Sequence, residues 1–243
     1  MRILIISDIH ANLTALESVL AEAGDYEAAW CLGDIVGYGP DPNECITRVR
    51  ELPKLLCIIG NHDAAAMGQI DADTFNPEAR NAILWTRQRL TKSSRSFLND
   101  LPEKIQASAE VTLTHGSPRH PVWEYLLDTH AATLNFEYFD TPLCFVGHTH
   151  LPVIYTATDN HYLARLEIPE PNTKIVLPKR AIINPGSVGQ PRDRDPRAAF
   201  AIFDSDARTL DFRRVAYDIN TVQARMKEAG LPDRHIQRLS AGW

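Results

Sequence analysis

The sequence predicts an α/β fold in which two β-sheets pack face to face with helices outside, a four-layer αββα sandwich. Three observations carry that expectation. In the first half, short apolar, β-branched runs alternate with stretches of helical spacing. In the second half, strand-like runs follow one another with few helices between them. Several of those later runs are joined by turn-forming residues, as hairpins are.

Residues 2–7 read as a buried strand. Leu13, Leu16, Val19, Leu20 and Ala23 then recur at helical spacing, and Gly24 stops that helix. Residues 28–32 are a second buried strand, 42–52 a helix with Pro42 in its first turn, and 55–59 a third strand followed at once by Gly60. Strand, helix, strand, helix, strand implies parallel pairing through right-handed crossovers. Residues 77–90 and 93–101 read as helices, the second ended by Pro102. Residues 104–107, 110–114, 143–146, 153–157, 162–168, 173–177, 181–184, 199–204 and 209–215 all read as strands. Turn residues such as Asp159-Asn160 and Asp206-Ala207 join the later ones, which predicts a second, mostly antiparallel sheet within 151–216. A helix over 219–229 opens a helical tail spanning 218–243. With no repeat, low-complexity tract or linker, residues 1–243 are expected to form one domain.

Composition narrows the function classes. The formal net charge of −6 argues against broad nucleic-acid affinity, which needs a basic surface, although bound metal ions would still admit a nucleotide substrate. Cys31, Cys45, Cys57 and Cys144 form no Cys-x-x-Cys pair and are expected as buried thiols in a reducing compartment. No segment approaches the length of a membrane span, and the apolar run at the N-terminus is too short for a signal peptide, so a cytoplasmic location without membrane contact is expected.

The residues that carry chemistry stand directly after the buried strands. Asp8-Ile9-His10 comes after the first, Gly33-Asp34 after the second and Gly60-Asn61-His62-Asp63 after the third. His115-Gly116 succeeds the strand ending at Thr114, and Gly147-His148-Thr149-His150 the one ending at Val146. Sites in open α/β sheets form outside the carboxyl ends of strands. Asp8, His10, Asp34, Asn61, His115, His148 and His150 are nitrogen and oxygen donors suited to Mn²⁺, Fe or Zn²⁺, and none of these clusters offers a thiolate. Seven donors are too many for one tetrahedral ion, but they suit two ions about 3.5 Å apart that share a carboxylate. Asp34, alone after its strand, is the natural bridge. His148 and His150 would point the same way in an extended segment, so a turn is expected to separate them.

These five pieces, in this order, resemble the calcineurin-like metallophosphoesterase family, and specifically its small bacterial and archaeal phosphodiesterase branch. The resemblance implies that Asp8, His10, Asp34 and His150 hold one ion and Asp34, Asn61, His115 and His148 the other. Mn²⁺ is the first expectation for both ions, with Fe, Zn²⁺, Mg²⁺ or Ni²⁺ as alternatives. It further implies hydrolysis of a phosphate mono- or diester by a hydroxide that the two metals activate, on a small phosphorylated, nucleotide-like substrate. His62 would stand at the leaving group as acid or electrostatic clamp.

The sequence also departs from its relatives. The family's serine/threonine phosphatases read Gly-Asp-x-x-Asp-Arg-Gly where this chain has Gly33-Asp34-Ile35-Val36-Gly37-Tyr38-Gly39. The acid that would orient His62 and the arginine that would bind phosphate are therefore absent from that place, which argues against a protein phosphatase. The stretch from Asn184 to Arg192 is similar to an Asn-Pro-Gly-Ser segment of the branch. Asn184, Gly186 and Ser187 there are expected to form an anion cradle, with Arg192 or Arg194 supplying the missing cation. Against this stands a plain loop whose arginines pair with Asp193 and Asp195. Tyr38, beside Asp34, is a further substrate contact, and Trp123 and Tyr125 either line the pocket or pack. His120, His130, His161 and His235 match no motif and read as surface or packing residues. The competing classes are a non-catalytic scaffold on this fold, which the full donor set disfavours, and a nuclease, which the net charge disfavours.

Overall fold

A computed structural model describes residues 1–158 and 163–243. Strands β1 (Arg2–Ile6), β2 (Ala28–Cys31) and β3 (Leu56–Cys57) pair in parallel, joined by α1 (Leu13–Glu22) and α2 (Pro42–Arg50). On its other side β1 meets β11 (Ala198–Asp204) antiparallel, followed by β12 (Thr209–Val215) and β9 (Thr173–Val176). The second sheet runs β4 (Lys104–Gln106), β5 (Val111–Thr114), β6 (Leu143–Phe145), β10 (Ala181–Asn184), β7 (Val153–Thr156) and β8 (Arg165–Glu167), with β5, β6 and β10 parallel.

Both sheets are thus mixed. The expected partition at residue 151 is not kept: β4, β5 and β6 precede it yet belong to the second sheet, while β9, β11 and β12 lie beyond it and extend the first. The side chains of β11 show why. Phe200 and Ile202 pack beneath α1 and α2 with Leu4 and Ile6, while Ala201 and Phe203 face the other sheet with Ile3 and Ile5. A strand buried on both faces belongs in the middle of a sheet. The layer between the sheets is closed by Trp30, Phe145 and Phe203, with ring centroids 5.5–6.1 Å apart. Each such side chain contributes about 1.5–3 kcal/mol by leaving water.

The remaining helices are α3 (Asn61–Met67), α4 (Pro77–Arg89), α5 (Lys92–Asn99), α6 (Thr129–Asn135), α7 (Ile219–Glu228) and α8 (Asp233–Ala241). Side chains of Asn12, Asn76, Thr91, Asp128 and Asp218 cap α1, α4, α5, α6 and α7 in turn. The short helices α3 and α6, of seven residues each, carry no helical signal in the sequence. The strand expected over 162–168 is the three-residue β8; Tyr162, His161 and the Asp159-Asn160 turn lie outside the described residues. All four cysteines are free and buried. Among the described residues no helix is long and apolar enough to cross a membrane.

Candidate metal centre

The motif residues converge where the strands of both sheets end. β1, β2, β5 and β6 each deliver their chain to a tight loop, and the loops hold one another by backbone bonds such as His10 N–H to Asp34 O at 2.9 Å. Asp8, His10, Asp34, His148 and His150 all have positive φ, between 48° and 66°. Non-glycine residues adopt that region at a cost of about 1–2 kcal/mol each, so the surrounding packing imposes it. Left-handed turns at His148 and His150 are the expected break in the extended segment. Two glycines let the loops close. A Cβ on Gly60 would occupy the Asp34 carboxylate, and one on Gly147 would strike Ser7 Oγ and lie 2.9 Å from Asp8 Oδ2.

The seven expected donors are buried, none more than 2% exposed. Ligand atoms of Asp8, His10 and His150 lie within 4.8 Å of one another, as do those of Asp34, His115 and His148. His150 Nε2 stands 3.3 Å from Asp8 Oδ1 and 3.0 Å from His10 Nε2. Asn61 Oδ1 is 3.2 Å from His115 Nε2. Asp34 sits between the two groups: Oδ2 is 3.6 Å from His10 Nε2 and 3.4 Å from His115 Nε2, while Oδ1 accepts the His62 N–H at 2.9 Å.

Each ring has one nitrogen committed to a backbone carbonyl. His10 Nδ1 donates to Val36 O at 3.2 Å, His115 Nδ1 to Leu32 O at 2.7 Å and His150 Nδ1 to Gln190 O at 2.5 Å. His148 instead uses Nε2, 3.2 Å from Trp123 O, which leaves Nδ1 for the centre. These bonds fix the tautomers and aim the lone pairs inward, as ligating histidines require.

Burial and the two carboxylates set the charge states of the metal-free centre. Burial raises Asp8 to about 7, although Ser7 Oγ donates to it at 2.6 Å. Burial would also raise Asp34, but the charge of His115 beside it holds it well below the usual range. His115 shows the reverse: burial would lower it, and the Asp34 carboxylate drives it up to about 10. Burial lowers His10, His148 and His150 well below their usual value.

His62 opens α3 and lies beside Asp34 and His10, with which its ligand atom falls within 4.8 Å. Burial lowers it to about 4. The question of what orients it has a structural answer: aromatic packing. Its ring lies 4.4 Å from Tyr38 and 5.1 Å from Phe75, and Nδ1 has no partner among the described residues. A Cβ on Gly37 would come within 2.7 Å of that Nδ1, so the absence of the family's acid here leaves room that the imidazole fills.

The polar groups of Asn184, Gly186 and Ser187, expected as an anion cradle, are engaged in bracing the centre. Asn184 Nδ2 donates to Gly147 O at 2.6 Å and its Oδ1 accepts the Gly186 N–H at 2.8 Å. Ser187 Oγ donates to Asp8 O at 2.8 Å and accepts from Gln190 N–H. The N–H groups of Val188 and Gly189 are taken by Ser7 O and Asp8 O. Tyr38 is 6% exposed, and its ring stacks among His10, His62 and His235. Arg192 remains at the edge, with Nη2 3.4 Å from the Tyr38 hydroxyl. Trp123 and Tyr125 line the mouth, 39% and 45% exposed, with the Tyr125 ring stacked 3.8 Å from His148. His120 and His130 are exposed and His235 is buried packing.

One residue of the motifs contributes without being a donor. Asp63 is fully buried; it accepts the N–H groups of Ile35 and Val36 at 3.0–3.3 Å, tying the Asp34 loop to α3, and that of the N-cap Gly60 at 3.1 Å. Its position three residues after Gly60 is the signal of a helix-start carboxylate.

A model of the calcineurin-like phosphoesterase superfamily domain matches residues 1–208. An uncharacterized protein of Methanocaldococcus jannaschii is 38% identical over 246 residues, covering 99% of this chain and 98% of that protein. The crystal structure of a metallophosphoesterase from Sphaerobacter thermophilus aligns with a TM-score of 0.92 at 50% identity, covering 100% of this chain and 99% of that one. A Pyrococcus horikoshii protein aligns with a TM-score of 0.80 at 21% identity, covering 100% and 98%.

Proposed function

The chain belongs to the calcineurin-like phosphoesterase superfamily, and on that premise we propose that it hydrolyses phosphate mono- or diesters with two divalent ions, Mn²⁺ foremost, on a small nucleotide-like substrate. The observation that carries this reading is the donor set. Two carboxylates, four imidazoles and one amide are buried together, and each imidazole has its outer nitrogen tied to a carbonyl. Such a set is costly to bury unless cations compensate it. Asp8, His10, Asp34 and His150 would hold one ion, and Asp34, Asn61, His115 and His148 the other. Such ions, when bound, supply a more acidic water and positive charge against the phosphoryl oxygens.

The chain's own residues do the rest. Asp34 fixes the spacing of the two donor groups, since Oδ2 faces both and Oδ1 is held by the His62 N–H. His62 is the side chain free to hold a proton at the leaving oxygen. Burial makes it a neutral imidazole, and the negative charge of a bound ester would favour its protonated form. Gly37 and Tyr38 disfavour a protein phosphatase, and the complete donor set disfavours a scaffold. Four free, buried thiols suit a reducing compartment such as the cytoplasm.

The test is release of nitrophenol from bis(para-nitrophenyl) phosphate and its monoester. Turnover is expected with added Mn²⁺ and is lost with chelator. His62→Ala is expected to cut kcat by roughly 10²–10⁴-fold while the ions stay bound. Absence of turnover on a panel of mono- and diesters, with Mn²⁺, Fe²⁺ and Zn²⁺ each supplied, would contradict the reading.

A further inference from the structure

We infer that Arg192 grips the non-bridging oxygens of the substrate phosphate, replacing from another loop the arginine this chain lacks at Tyr38. The inference rests on the phosphoesterase reading and adds the residue that recognises the anion.

The loop after β10 is anchored at the centre. Gln190 O holds the His150 ring at 2.5 Å, and Ser187 and Gly189 both bond to Asp8 O. Arg192 lies two residues beyond the carbonyl that aims His150. The alternative, a surface arginine paired to a neighbouring acid, is met by other residues. Asp195 is bound by Arg197 at 2.6 Å, and Asp193 is bound by Arg214. Arg192 forms no ion pair among the described residues.

Its guanidinium is half-buried and incompletely satisfied. Among the described residues Nη2 contacts neutral oxygens alone, Gln190 Oε1 at 3.2 Å and the Tyr38 hydroxyl at 3.4 Å, and Nε is buried without an acceptor. A partly desolvated cation with no counter-charge and an open donor is poised for an anion. The Tyr38 ring, 5.9 Å from the guanidinium carbon, lies 4.5 Å from His10 and 4.4 Å from His62. The charge thus borders both the donor groups and the expected acid.

The arm is held in place from behind. Tyr38 packs on His235 of α8 at 4.3 Å and shares a cluster with Val222, Met226 and Leu239. Gly242 O, at the end of α8, accepts the Arg194 N–H at 2.6 Å. Arg194 itself is exposed, so of the two arginines the sequence left open, Arg192 is the one at the centre.

The test titrates manganese-loaded protein with inorganic phosphate by calorimetry, which needs no turnover. Arg192→Ala and the longer Arg192→Gln are both expected to weaken phosphate by roughly 10–100-fold with manganese content and melting temperature kept. Arg192→Lys is expected to recover part of the loss, because it restores the charge without the planar fork. Arg194→Ala is expected to leave phosphate binding unchanged. Wild-type phosphate affinity in folded, manganese-loaded Arg192→Ala or Arg192→Gln overturns the inference. Failure of the phosphoesterase reading looks different: phosphate binding would still depend on Arg192 while no ester turns over.

Discussion

Asp34 concentrates the site's electrostatics in one side chain. Its Oδ2 lies within 3.6 Å of rings from both donor groups, so Asp34→Asn is expected to lose both ions together and, with them, turnover. Metal content per chain by plasma mass spectrometry checks this, and retention of one ion would argue against a shared carboxylate. Gly37 makes a second residue-scale case. Its φ is +99° and an added Cβ would reach His62 Nδ1. Gly37→Ala is expected to lower kcat at least 10-fold with both ions retained, because it displaces the expected acid rather than a ligand. That these seven side chains converge was legible in the sequence, because their types and their places after strands are local features. The roles of Asn184 and Ser187 were not. Their residue types suit a cradle and a brace equally, and only the fold reveals that Gly147 O and Asp8 O stand within reach.

The elements matter chiefly through their ends. β1, β2, β5 and β6 finish at one rim, and α3 starts there, with Asp63 lacing its first turn to the Asp34 loop through the N–H groups of Ile35 and Val36 while capping its own helix at Gly60. Asp63→Asn leaves one carbonyl oxygen for those donors and is expected to destabilise by about 1–3 kcal/mol in chemical denaturation, with weaker manganese binding. An unchanged midpoint would mean the lacing is incidental. The alternation β1-α1-β2-α2-β3 was readable, because its apolar runs and helical spacing repeat over whole elements. The assignment of later strands to sheets was not: Phe200 and Phe203 look alike in sequence, yet they face different layers. α3 escaped because its first turn, Asn61-His62-Asp63, is spent on the centre and carries no apolar stripe.

Across the whole molecule, stability is linked to protons and metal. His235 is buried beneath Tyr38, and burial lowers it to about 3. A histidine depressed on folding binds fewer protons in the native state, so its contribution is present above the unfolded value near 6.5 and is lost as pH falls toward 3. Metal-free protein is therefore expected to lose melting temperature below about pH 6.5. His235→Phe should flatten that slope, as acid scans of both proteins would reveal. His115 has the opposite sign: Asp34 raises it to about 10, so its stabilising charge is present at neutral pH and must leave when a metal takes Nε2. Manganese uptake near pH 7 is accordingly expected to release protons, visible by calorimetry in buffers of different ionisation enthalpy. Everything rests on loops from both sheets closing around two cations. The most direct test is a crystal grown with manganese and measured at the manganese absorption edge. Two anomalous peaks about 3.5 Å apart are expected, with Asp34 between them and Asp8, His10 and His150 against one, Asn61, His115 and His148 against the other. No peak among these side chains, or peaks held by other residues, would contradict it.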